Sequence, residues 1–387
     1  MTGPARSLAR ILVLAGALTG AAAPDAAAAE LSSFPIAYAQ AVEPCRPQVA
    51  AERETRIASM LASIEVRHDE ALFATFAWLN LAGKTAADTA GLAPAGRHAW
   101  ERLREVVSAA DLARYRTHHA ELDAAYGHMV DYLGTVLALN MSPPPELRVL
   151  SVELSEWNAT HGVEDRWTEK RLAELEPLAA IIREFYGRYP VRAIFEECRP
   201  WYEPVGASDL QRAGDVVRRS VDTLRLAAGE LPALSRIAIV PNLLGSRGEM
   251  GPEYRGVKYD VKGPRVSSTY RAHEFLHSLV AGCTRDPAAR ERIIAAIGPT
   301  WEAAAGTPAV GSYPDPVLWF DDCLVRALDA VVMHPDDADA RTREAAFEAE
   351  RGFTLVPDIL AALDAFARAE VSFPGWFPEL LTLLASP

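Results

Sequence analysis

Beyond residue 29 the chain has no uninterrupted apolar run of about 18 residues, the length a helix needs to cross a bilayer, so its body is expected to hold no membrane span. Positive charge is in the minority: 39 Lys and Arg stand against 52 Asp and Glu, a formal net charge of -13. Nucleic acids and anionic membranes both require a clustered basic surface, so neither is the expected partner. Cysteine is scarce, with four in 387 residues. None precedes Cys45, which excludes a lipid-modified cysteine directly after an N-terminal leader, and the twin-arginine export pattern is missing as well. There is no internal repeat and no long low-complexity linker. A hydrophobic content of 50% with 24% charged residues also excludes a disordered chain and leaves enough apolar side chains for a sizeable core.

What is present begins at the N-terminus. Arg6 and Arg10 precede an apolar run from Ile11 to Ala23, and alanine-rich sequence continues to Ala29. This is the pattern of a signal peptide over residues 1–29, with a mature start near Glu30 and export to a periplasmic or extracellular space. In such an oxidising setting Cys45, Cys198, Cys283 and Cys323 could form two disulfides in three connectivities. The preferred pair is Cys283 with Cys323, and free buried thiols are the alternative.

The expected fold is mainly α-helical with a small β-sheet. Residues 30–232 form a helical region, with apolar residues recurring at three and four positions in stretches such as Ala99 to Leu139 and Lys170 to Tyr186. Breaks are expected at Gly91 to Gly96, at Pro143-Pro144-Pro145 and from Pro200 to Gly206. Residues 233–387 form the second region. There Arg236 to Val240, bounded by Pro241, and Gly256 to Val261, after a glycine-rich connection, predict two strands of a short antiparallel sheet. Ser267 or Ser268 is expected to cap a helix that runs to about Val280 and stops at Gly282.

That helix carries His273-Glu274-Phe275-Leu276-His277, a match to H-E-x-x-H. Histidines four apart lie one above the other on a helix, so both imidazoles can reach one ion, while Glu274 projects beside them as a general base. A five-residue match arises by chance often enough to need context. A catalytic zinc usually takes three protein ligands and a water. The extension that supplies a third histidine is absent, because Val280 stands at its glycine position and Cys283 at its histidine position. A carboxylate on a later helix is the remaining common solution. The candidates are Asp322, preferred because Arg326 follows one helical turn on and could hold the carboxylate, and Asp321, as ligand or as support to one. Tyr270, Arg271, Tyr313 and His334 are near enough in sequence to be considered as transition-state donors, with structural roles the more common outcome for such residues.

The segment Val240-Pro241-Asn242-Leu243-Leu244-Gly245, the glycine-rich turn and strand to Gly263, His-Glu-Phe-Leu-His and Leu324-Val325-Arg326-Ala327 together resemble a group of uncharacterised bacterial zincin-like proteins of gluzincin type, a "domain of unknown function" family of metallopeptidase character. The likeness covers roughly residues 235–332. It implies a zincin-like catalytic core in which a glutamate four residues before the arginine is the third zinc ligand; here that position holds the shorter Asp322. The expected function is an exported zinc-dependent hydrolase acting on a peptide or protein substrate. Zinc-activated water would attack the scissile carbonyl, with Glu274 as general base and later proton donor to the leaving amine. The competing expectation is a non-catalytic extracytoplasmic zinc-binding or helical scaffold protein.

Overall fold

The computed structural model describes residues 46–127, 130–150, 169–245, 249–250, 253–254, 257–263, 272–311, 313 and 315–385. The proposed signal segment, Cys45, Ser267, Ser268, Tyr270 and Arg271 lie outside them. In chain order the elements are α1 (Arg46–Ala62), β1 (Ile64–Val66), α2 (Glu70–Gly83), α3 (Pro94–Val106), α4 (Ala109–Tyr126), α5 (Val130–Leu139), α6 (Glu169–Arg188), α7 (Val191–Thr223), β2 (Arg236–Pro241), β3 (Glu249–Met250), β4 (Glu253–Tyr254), β5 (Val257–Lys262), α8 (His273–Thr284), α9 (Pro287–Ala304), α10 (Pro316–Met333), α11 (Ala338–Glu350), α12 (Val356–Arg368) and α13 (Phe373–Leu384). Several helix starts follow local chemistry. Asp286 and Asp315 each accept a backbone N–H in the first turn of α9 and α10, and each is followed by a proline whose missing N–H costs nothing there. No helix among the described residues is long and apolar enough to cross a membrane.

The fold is mainly helical, as expected, but the sheet differs. β1 pairs with β2 and β2 with β5 in parallel, in the registers Ile64↔Ile237 and Arg236↔Val257. Of the described strands, the short β3 and β4 run antiparallel, both against β5. A connection as short as residues 242–256 reads as a hairpin, because parallel neighbours ordinarily need a crossover. Here β3 and β4 fall within that connection, so β5 returns in the direction of β2. β1 was not anticipated at all: three residues within helical sequence give too short a pattern to read.

Parallel strands are usually covered on both faces, and the alternation along β2 follows that rule. Ile237 and Ile239 pack with Val216, Val217 and Val221 of α7 and with Phe275, Leu276 and Leu279 of α8. Ala238 and Val240, with Tyr259 and Val261 of β5, pack into a second core with Leu72, Phe76 and Trp78 of α2. Residues on either side of position 232 therefore contribute to both cores. The intervening residues of β5 form a buried charged row: Lys258, Asp260 and Lys262 are 2%, 1% and 2% exposed. Lys262 Nζ lies 3.2 Å from Asp260 Oδ1.

Three further expectations need correction. Pro200 and Pro204 do not break the chain; α7 runs through both. Its buried stripe, including Cys198, Tyr202 and Gly206, outweighs the lost backbone bonds, and Gly206 permits close approach, since a Cβ there would lie 2.6 Å from Val66 Cγ1. α8 begins at His273 and passes the exposed Gly282 to end at Thr284, just before Asp286 and Pro287 set the next helix. Finally, Cys198, Cys283 and Cys323 are free buried thiols, so the preferred disulfide is not formed. Burial pushes the Cys283 thiol up to about 12, which keeps it protonated and unreactive at neutral pH.

Candidate metal centre

α8 and α10 pack against each other and carry the three residues, His273, His277 and Asp322, that could hold a metal ion. On α8 the apolar Phe275, Leu276, Leu279 and Val280 face the core, which leaves His273 and His277 on one side, only part-buried. On α10 the hydrophobic face of Trp319, Phe320, Leu324 and Leu328 fixes the helix in the same core and turns the Asp321-Asp322 pair toward α8.

The two aspartates do different work. Asp322 Oδ1 lies 3.2 Å from His273 Nε2 and 3.6 Å from His277 Nε2. One donor atom from each of these three residues falls within 4.8 Å of the others. Donors on a tetrahedral zinc at about 2.05 Å stand about 3.3 Å apart along each edge, and the two imidazole-to-carboxylate distances here are close to that edge. Asp321 instead takes His277 Nδ1 on its Oδ2 at 2.7 Å, while its Oδ1 accepts from Thr284 Oγ1 at 2.7 Å. An ionised carboxylate can only accept, so Nδ1 carries a proton, and it is the Nε2 proton that an ion would displace to reach a lone pair. The alternative left open by sequence is thus divided between the neighbours: Asp322 joins the cluster, and Asp321 orients one of its histidines.

The other oxygen of Asp322 is fully engaged. Arg326 donates to Oδ2 from Nε at 3.0 Å and from Nη2 at 2.9 Å, and Tyr313 donates its hydroxyl at 2.5 Å. Arg326 is itself held by Glu348 at 2.9 Å and lies over the Phe353 ring. Tyr313 therefore supports the carboxylate. His334 pairs with Glu344 at the C-terminal end of α10, three turns beyond Asp322, and takes no part.

Electrostatics around these groups favour charge. Burial raises the Glu274 carboxyl, but His273, Lys258 and His277 outweigh it and hold the group below its usual range. Burial acts the same way on Asp322 and is overcome by the Arg326 charge and by hydrogen bonds to both histidines, leaving it well below the ordinary aspartate range. At His277 burial disfavours the cation, yet the Asp321 charge and hydrogen bond, with Asp322 and Glu274, raise it from 6.5 to about 9.

A pH dependence follows from that shift. In the metal-free protein the stabilisation from protonated His277 is complete below about 6.5 and is lost as pH rises through about 9. An ion must displace that proton. Zinc affinity is therefore expected to climb about tenfold per pH unit across this window and to level off above it, with a proton released on binding. Competition titrations from pH 6 to pH 10 would check this; a flat profile would sink it.

Sequence inspection missed several participants. Thr284, Tyr313 as support, Glu348 and Lys258 approach from separate elements, and only Asp329, discussed below, had a local signal: it stands seven residues after Asp322, two turns along the same face. Compared with known proteins, the chain matches no family model, no curated protein and no solved structure, so the likeness drawn above rests on the motif residues themselves.

Proposed function

We propose that the chain is an exported zinc-dependent hydrolase whose substrate is a peptide or protein. The observation that carries the reading is the meeting of His273 Nε2 and His277 Nε2 at Asp322 Oδ1, with the buried Glu274 between the histidines on the same helix. The shorter aspartate is compensated by the close packing of α10 on α8, which brings its oxygen within 3.2 and 3.6 Å of the two nitrogens.

Zinc held by these three residues supplies Lewis acidity toward a carbonyl oxygen and a water of lowered pKa. Every other part of the work falls to the chain. Glu274, ionised beside Lys258, takes the proton of the attacking water and returns it to the leaving amine. Asp321 keeps His277 in the tautomer that frees Nε2, and Arg326 with Tyr313 fixes Asp322 so that Oδ1 faces the histidines.

Metal analysis of the purified protein, paired with a broad peptide panel, tests this. About one zinc per chain is expected, lost in His273→Ala, with hydrolysis stopped by a chelator and restored by zinc. A zinc-free folded protein would overturn the proposal. Stoichiometric zinc with no turnover on any peptide would instead assign the centre to a non-catalytic zinc-binding protein.

A further inference from the structure

The first residue of α8 is a candidate ligand. His273 opens the helix, in the turn where backbone N–H groups lack intrahelical partners and helices fray. Its N-cap, Ala272, makes no side-chain cap. The two histidines are also fixed in different ways. His277 lies one turn in, with Asp321 on its Nδ1. Among the described residues no carboxylate other than Asp322 pairs with His273. The direction of its ring thus depends on the backbone at the start of α8 more than on any side-chain partner.

That backbone is held from α10. The N–H of Ala272 donates to Asp329 Oδ1 at 3.0 Å, and Asp329 is only 2% exposed. Asp322, Arg326 and Asp329, at successive spacings of four and three, occupy one stripe of α10. Asp321, beside them, reaches Thr284 at the far end of α8. The antiparallel helix pair is therefore tied at its two ends by carboxylates of a single helix, one tie beside each histidine.

We propose that Asp329 is a positioning residue for His273: by anchoring the Ala272 N–H it supplies the cap that α8 lacks and sets the phase of the helix at the ligand. The inference rests on the zinc reading given above. It differs from a plain capping role in what it moves, because loss of the anchor changes metal affinity through His273 while leaving His277 and Asp321 in place.

Zinc competition titrations and amide hydrogen exchange on the full chain, for wild type, Asp329→Ala and Asp329→Asn, decide it. Asp329→Ala is expected to bind zinc on the order of 10–100-fold more weakly at unchanged stoichiometry, the usual cost of removing a group that orients a ligand. It should also speed exchange in the first turn of α8 but not in the last. Asp329→Asn keeps a carbonyl oxygen that can accept from Ala272 and should restore both readouts close to wild type. Wild-type zinc affinity in folded Asp329→Ala would overturn the proposal, and so would an Asn variant as weak as the Ala variant, since the hydrogen bond would then not be the agent. Absence of zinc from wild type and variants alike would overturn the metal reading, and the positioning role with it.

Discussion

Glu274→Gln is expected to keep its zinc and to lose about 10²–10⁴-fold in hydrolysis, the usual contribution of a positioned general base. The substitution preserves the volume and packing of a side chain only 9% exposed, so the helix and its two histidines should be undisturbed. What changes is basicity. In the metal-free chain Glu274 is held ionised against the effect of burial by His273, Lys258 and His277, and Lys258 keeps its charge when the histidines bind zinc as neutral ligands; a neutral amide in place of Glu274 can neither take the proton of the attacking water nor return it. The check is a paired measurement of bound zinc and of kcat on whichever peptide the panel identifies. Wild-type turnover in a zinc-loaded Glu274→Gln protein would remove Glu274 from the reaction and leave the metal centre standing.

Asp322→Ala should fail in a different way, losing stability as well as zinc. Asp322 compensates the part-buried Arg326 through two hydrogen bonds to Oδ2 and accepts the Tyr313 hydroxyl on the same oxygen. Among the described residues, removing it leaves the guanidinium with Glu348 as its remaining carboxylate and the phenol without its acceptor. Breaking a buried ion pair from one side typically costs about 3–5 kcal/mol. Urea unfolding should report a loss of that size with an unchanged slope, and metal analysis a centre reduced to two protein ligands. Asp322→Asn separates the effects: its carbonyl oxygen still accepts hydrogen bonds, so stability should recover in part while zinc affinity stays low. Equal zinc affinity in wild type and Asp322→Ala would exclude Asp322 as a ligand.

The acid side of the same residue has a definite sign. Its carboxyl sits well below 3.8 in the folded state, so the stabilisation it provides is fully present above that value and is lost only as pH falls through the depressed range.

The sequence by itself determined what depends on near neighbours. His273 and His277 are four apart, as are Asp322 and Arg326, and each pair meets because a helix places such residues on one face. The largely helical character and the strand at Arg236 followed from periodicity in the same way. The tertiary structure decided whatever depends on the approach of distant segments. The parallel pairing of β2 with β5 is a matter of which strands meet and in which direction, which no periodicity records. The division of labour between Asp321 and Asp322 was set by the rotation of α10 against α8, since adjacent helical residues point about 100° apart and only packing chooses which faces the histidines. Pro200 and Pro204 were overruled because burial of a long helix outweighs a local backbone penalty. Ala272, just before α8, donates its N–H to Asp329, 57 positions away in the chain, a contact that exists only once two helices have packed.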